Sequence, residues 1–256
     1  MRHQRNGLVW HTLAGPDGAF RHALLTRIGG VSEGAFTSLN LGSTVGDRPE
    51  AVAENHRRVF ETFNVAREQV VSPHQVHGRQ VAQVDASQGG TIVPATDALI
   101  TNEPGVVLLL RFADCTPVLF YDPVQRAAGL AHAGWRGVAS GVVPATVAAM
   151  GETFGTRPED LWVGLGPAIG VEHYVVGPEV VDAVKATLPP DSEIAQRHAD
   201  SLHLNLPRAV EAQLRAAGVR RIVPSGIDTA GNTDEWYSHR AEGGKTGRFG
   251  VLVMLV

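Results

Sequence analysis

A second cysteine is absent from this chain of 256 residues, and lysine is nearly absent too. With Cys115 alone no internal disulfide can form, so nothing in the cysteine usage points to an oxidising compartment. Only Lys185 and Lys245 are lysines among 22 basic residues, and the rest are arginine. Arginine is the better fork for phosphate and carboxylate, which makes individual arginines worth following. No stretch approaches the roughly 18 apolar residues that a membrane helix needs. Residues 1–21 carry Arg2, His3, Arg5, Asp17 and Arg21 and no apolar run, so no signal peptide is expected. A net charge of −4 gives no reason to expect nucleic-acid binding. The expectation is a soluble cytoplasmic protein with no membrane contact and no protein partner.

What is present is ordinary globular composition, with 43% hydrophobic and 19% charged residues, in a chain long enough for a substantial core. No repeat, low-complexity tract or long linker divides it, so residues 1–256 read as a single domain. Val/Leu-rich runs bounded by Gly, Pro, Asp or Asn predict strands near Leu8–Leu13, Ala23–Arg27, Val70–Val71, Gln80–Val84, Ala98–Thr101, Val106–Arg111, Pro117–Tyr121, Ala127–Ala131, Leu161–Leu165, Val219–Val223 and Phe249–Val256. Pro49 and Glu50 after Asp47 mark a helix start, followed by Val52, Val59, Phe60 and Phe63 at helical spacing. Further helices are predicted over Val138–Phe154, with Pro144 as a kink, Pro178–Thr187, and Pro207–Ala217 between an Asn205 cap and a Gly218 stop. Several strands are apolar on both faces, which implies a sheet covered on each side. The mixed element order argues for layered α/β or α+β architecture around a mixed sheet, not a pure doubly wound fold.

Three segments concentrate chemistry: His74–Gly78, Ala113–Pro117 and Ala131–Gly137. Each lies at or just after a strand end, where α/β proteins place ligands. Two adjacent strands joined by a tight turn would bring Cys115 beside His132. A thiolate with imidazoles suits zinc, and three protein ligands with one open position is the catalytic pattern, in which a bound water turns acidic near neutral pH. A packed core thiol and a Cys–His nucleophile are the competing readings of the same residues. His74 and His77 follow Pro73 in a stretch that reads as extended, where residues three apart face opposite ways. One of the two would be the ligand, and spacing alone does not say which.

The segments Thr26–Val31, Ser38–Gly42, Gln75–Gly78, Ala113–Leu119, His132–Gly137 and Leu165–Gly170, in that order, resemble the laccase-domain family. That family is also described as polyphenol oxidase, as peptidoglycan editing factor and as zinc-dependent purine nucleoside phosphorylase. The likeness runs from about Arg27 to the end of the chain. It implies a layered α/β fold, similar to the catalytic domain of cytotoxic necrotizing factors. It implies His77, Cys115 and His132 as metal ligands, leaving His74 as a surface or supporting residue. It further implies phosphorolysis of adenosine, inosine, guanosine and methylthioadenosine, and deamination of adenosine, with nucleosides and phosphate as partners and zinc, or alternatively copper, as cofactor. Two departures stand near the C-terminus, where the family's Cys-Thr is Asp228-Thr229 and a family tyrosine is His239.

Within that expectation Arg27, Arg136 and Arg240 are candidate anion holders, since a guanidinium grips phosphate bidentately. Asn40 offers a donor and an acceptor to a ribose or purine edge. Asp114, beside Cys115, is a candidate to orient a ligand histidine or relay a proton, though on a continuing strand its side chain points away from Cys115. A copper phenol oxidase is disfavoured by the absence of any His-x-His pair and of a methionine close after Cys115. A cytoplasmic peptidoglycan-precursor amidase using the same site stays open.

Overall fold

The structure, a computed structural model, describes residues 1–15 and 18–256; Pro16 and Asp17, the latter used above against a leader, lie outside the described residues. The first part of the chain forms β1 (Arg2–Arg5), β2 (Leu8–His11), β3 (Phe20–Leu25), α1 (Pro49–Phe63), β4 (Val70–Pro73), β5 (Val81–Gln83), β6 (Ile92–Val93) and β7 (Ala98–Thr101). The centre forms β8 (Val107–Phe112), β9 (Thr116–Asp122), β10 (Ala127–Ala133), α2 (Trp135–Ser140), α3 (Val142–Phe154) and β11 (Trp162–Leu165). The remainder forms β12 (Val175–Val176), α4 (Pro178–Lys185), β13 (Ala195–His198), β14 (Ser201–Leu204), α5 (Leu206–Ala216), β15 (Arg221–Pro224) and β16 (Phe249–Leu255).

Two large mixed sheets result, in the orders β1-β2-β3-β16-β8-β4-β6 and β15-β11-β9-β10-β7-β5, with a small sheet β12-β14-β13. Strand alternation assigns each face. Leu108, Leu110, Phe112, Val251 and Val253 of the first sheet pack against Leu99, Leu119, Tyr121 and Leu130 of the second. The alternate residues Val107, Leu109, Leu252 and Met254 turn outward onto Val59, Phe60 and Phe63 of α1. On the far side, Ile100, Val118, Phe120 and Val163 meet Val143, Val147 and Met150 of α3 and Val210 and Leu214 of α5. The layers are therefore helix, sheet, sheet, helix. This covers both faces of β8, β9, β10 and β16, as their unbroken apolar runs imply. Each such leucine or valine contributes roughly 1.5–3 kcal/mol by leaving water.

Most boundaries fall where the sequence puts them. Pro49 opens α1 and Glu50 sits in its first turn. Asn205 caps α5 by accepting from the Arg208 N–H, and Gly218 follows in a left-handed conformation. The helix expected over Val138–Phe154 is different. It starts earlier, at Trp135, and breaks into two at Gly141, whose φ of 83° ends α2 and begins α3. Pro144 does not kink it, because it lies in the first turn of α3, where a missing N–H costs nothing. The short strands β1, β6, β12, β13 and β14 carry too little apolar pattern to be anticipated.

Two half-buried histidines are held neutral by packing. His22 accepts the Leu13 N–H and lies against Phe20 and Trp162, and burial drops its pKa to about 4. Burial likewise takes His56 to about 4, against an opposing hydrogen bond to the Leu41 carbonyl. Unfolded, both titrate near 6.5. As pH falls from about 6.5 toward 4 the unfolded chain takes up protons that the folded chain refuses. The stability they contribute is thus complete above the window and is lost across it, at roughly 3 kcal/mol apiece. Urea unfolding at pH 7 and pH 4.5 is expected to show a larger loss for the wild type than for the double variant His22→Gln/His56→Gln. Equal losses would remove both histidines from the acid response.

Candidate metal centre and its cavity

β9 and β10 are an antiparallel hairpin whose register sets Pro117 opposite His132 and Thr116 opposite Ala133. Cys115, one residue before β9, therefore meets the chain where it leaves β10 for α2. Gly134 sits at that crossing. A Cβ built on it would lie 2.7 Å from the Cys115 Sγ and 3.2 Å from the His77 Cδ2, so a side chain there has no room. His77 arrives from the segment between β4 and β5. The ligand atoms of His77, Cys115 and His132 lie within 4.8 Å of one another. The two imidazoles meet edge to face, with centroids 4.8 Å apart. His132 is buried, Cys115 is half-buried and His77 is exposed.

One carboxylate organises this triad, and it was not anticipated. Asp97 is fully buried immediately before β7. Its Oδ1 is 2.9 Å from His132 Nδ1 and accepts the His77 N–H at 2.9 Å. Its Oδ2 accepts the N–H groups of Val76 and Gly78 at 3.1 and 2.7 Å. Its backbone oxygen accepts the His132 N–H. Burial alone would raise the Asp97 pKa, but His132 and the loop N–H groups outweigh it and hold the carboxyl below the usual range. The loop it clamps is a tight turn, not the extended stretch read from the sequence, because His77 has φ 59°.

Burial likewise opposes charge on Cys115 and His132. Mutual attraction and hydrogen bonding win: the thiol, also bonded by His77, is brought down to about 6 and His132 is raised to about 9. Both shifts run in the direction that favours a thiolate beside an imidazolium. A thiolate and imidazoles converging on one point, with a glycine keeping that point clear, fit a borderline-soft cation. Two-nitrogen, one-sulfur ligation leaves a coordination position toward the cavity.

The cavity over the triad has a volume of about 890 Å³. Of the sequence candidates it gathers His77, Asp114, Cys115, His132, Arg136 and Arg240. His74 also lines it, apart from the ligand cluster. Arg27 and Asn40 are not brought to it. Arg27 bonds the Thr37 and Thr233 carbonyls, pairs with Glu242 at 3.0 Å and lies over Tyr237. It braces the segment that carries His239 and Arg240. Asn40 is fully buried, and its amide is used by Gly42, Asp47 and the Arg248 N–H. It shapes the Gly42–Val45 wall from behind. Asp114, with φ 86°, accepts from the Thr229 hydroxyl and the Arg240 N–H at 2.7 Å each. It anchors the wall, and orienting the ligand histidine falls to Asp97.

Arg111, Arg248, Trp135, Tyr174 and His239 also line the cavity. Only an arginine-for-lysine bias hinted at the first two. Of the two departures, His239 faces the cavity, while Asp228 stands aside, bonding the Gly170 N–H and His173.

Comparison with known proteins points the same way. The family described as multi-copper polyphenol oxidoreductase laccase matches residues 21–256. Purine nucleoside phosphorylase YlmD of Geobacillus stearothermophilus is 41% identical over 236 residues, covering 88% of this chain and 86% of the relative. Purine nucleoside phosphorylase YfiH of Escherichia coli is 35% identical over 231 residues, covering 90% and 92%. The crystal structure of the G. stearothermophilus YlmD superposes with a TM-score of 0.93 at 36% identity, covering 99% of this chain and 97% of that one.

If Asp97 fixes the triad, Asp97→Asn should weaken metal binding about 10–100-fold, since an amide cannot accept from every group the carboxylate serves. Competition with a chromophoric chelator measures this. Unchanged affinity would show that the ligands hold their places without it.

Proposed function

Because this chain belongs to the multi-copper polyphenol oxidoreductase laccase family, we propose that it is a zinc-dependent purine nucleoside phosphorylase. Its proposed substrates are adenosine, inosine, guanosine and methylthioadenosine, with adenosine deamination as a second activity. The observation that carries this is the His77–Cys115–His132 triad opening into a large arginine-lined cavity. Relatives named purine nucleoside phosphorylase, at 35–41% identity, support it. Both large sheets contribute residues to that cavity, which supports reading residues 1–256 as one catalytic domain.

In phosphorolysis a phosphate oxygen bonds to ribose C1′ as the bond from C1′ to the purine nitrogen breaks. The electron pair leaves with the purine, which takes up a proton. Arg136 stands exposed at the start of α2, its guanidinium 4.6 Å from the Trp135 ring centroid, and is suited to hold phosphate. Arg240 lies over Tyr174, with its backbone fixed by Asp114. Trp135 and Tyr174 offer apolar walls to purine and ribose. His74 and His239 are cavity imidazoles able to pass a proton to the leaving base. His77, Cys115 and His132 would hold the metal, which when bound supplies Lewis acidity and an acidic water. The same donors accept copper, and metal analysis of the purified protein distinguishes the two.

Asp97 bonded to His132, with the Cys115 sulfur within 4.8 Å of the His132 ligand atom, also favours amide cleavage. Carboxylate, imidazole and thiol in that order activate a nucleophile. This keeps precursor editing in the peptidoglycan sense as the alternative.

Metal-loaded protein is expected to release hypoxanthine from inosine only when phosphate is present, and His77→Ala to lose at least about a hundredfold of that rate. No phosphate-dependent release with zinc or copper would reject the phosphorylase. The alternative makes a separate demand: metal-free protein should cleave a serine-linked peptidoglycan precursor faster than an alanine-linked one and be silenced by iodoacetamide. Indifference to alkylation would remove Cys115 as a nucleophile.

A further inference from the structure

Inorganic phosphate and a neutral nucleoside leave much of this cavity's positive charge unanswered. Four guanidiniums line it, those of Arg111, Arg136, Arg240 and Arg248. Among the described residues none of them makes a salt bridge to a carboxylate. The ion pairs run instead through Arg2, Arg27, Arg48, Arg57, Arg58, Arg157 and Arg215. Among the described residues the one carboxylate in the lining, Asp114, is taken by the Thr229 hydroxyl and the Arg240 backbone. Among the described residues the Arg111 guanidinium reaches only the Pro73 carbonyl, that of Arg240 only Val175, and that of Arg248 only Thr246 and Gly247. Each guanidinium carries five N–H donors, so most of them stay free. Arg111 and Arg248 are kept there at a cost, because burial lowers the pKa of each.

The four divide by origin. Arg111 is on β8, and its register partner on β16 is Gly250, so Arg248, two residues earlier, shares its face of the seven-stranded sheet. Arg136 follows β10 of the six-stranded sheet, and Arg240 is held at Tyr174 and Val175 beside β12. Arg111 and Arg248 thus form one pair, and Arg136 and Arg240, whose charges both act on Tyr174, form the other. The volume of about 890 Å³ lies near the top of the range of roughly 300–1,000 Å³ typical of small-molecule sites.

Given the phosphorylase reading above, we propose that the cavity takes a purine nucleoside bearing its own anionic group, of the nucleoside 5′-monophosphate class. One arginine pair engages that group and the other the inorganic phosphate. With inosine 5′-monophosphate the balanced step joins a phosphate oxygen to C1′ as the purine leaves with the electron pair and gains a proton. The products are hypoxanthine and ribose 1,5-bisphosphate.

The test compares inosine and inosine 5′-monophosphate on the metal-loaded protein, by calorimetric binding and by phosphate-dependent hypoxanthine release. The nucleotide should bind at least about tenfold more tightly, equivalent to roughly 1.4 kcal/mol, with an advantage that shrinks as salt is raised. The nucleotide-to-nucleoside affinity ratio should collapse in Arg111→Gln and persist in Arg136→Gln. Nucleotide binding no tighter than nucleoside binding, or an unchanged ratio in both variants, overturns the inference. If inosine itself is not phosphorolysed, the phosphorylase reading fails, and the binding comparison still decides whether the site prefers the anionic ligand.

Discussion

The bonds made by Asp97 are the constraint on which the site depends. A buried carboxylate is costly unless its lone pairs are filled, and here three consecutive backbone N–H groups and one imidazole fill them. The same bonds do structural work on both sides. They wrap residues 76–78 into a turn that points His77 inward, and they set the ring of His132. Because Asp97 directly precedes β7, and Ala98 pairs with Ala131 of β10, the sheet register itself delivers the carboxylate to His132. The clamp and the fold share one set of hydrogen bonds.

The third ligand depends on a change of sheet. β8 belongs to the seven-stranded sheet and β9 to the six-stranded one, so residues 113–115 carry the chain from one to the other. Asp114 makes that crossing in a left-handed conformation and ties it to Thr229 and Arg240. Cys115 then emerges at the hairpin end beside Gly134, where no side chain fits. The cavity opens where these two sheets part, and so receives arginines from both. Residues that line no part of it, Arg27 and Asn40, hold its walls from outside.

Much of this was legible in residues 26–170, where six short motifs identify the family, and in the apolar runs that became β7 to β11 and β16. Cys115 and His132 could be placed together because a two-strand hairpin is a local object. His77 could be chosen over His74 only by resemblance, since the left-handed turn that aims it is imposed by Asp97, 20 residues away. Asp97 itself looked like any acid ahead of an apolar strand. The helix break at Gly141 was missed for a local reason: proline is the stronger breaker in the middle of a helix but harmless in its first turn.

The sequence by itself determined the donor set, the family, the covered strands and the surplus of arginine, because residue type and short-range spacing carry them. Tertiary structure decided which acid orients the ligands, which arginines face the cavity and which brace it, and how far charge outruns its partners there. Those are contacts between segments as much as 215 residues apart, as in the pairing of Arg27 with Glu242. They form only when two sheets pack and fix which ends of their strands meet.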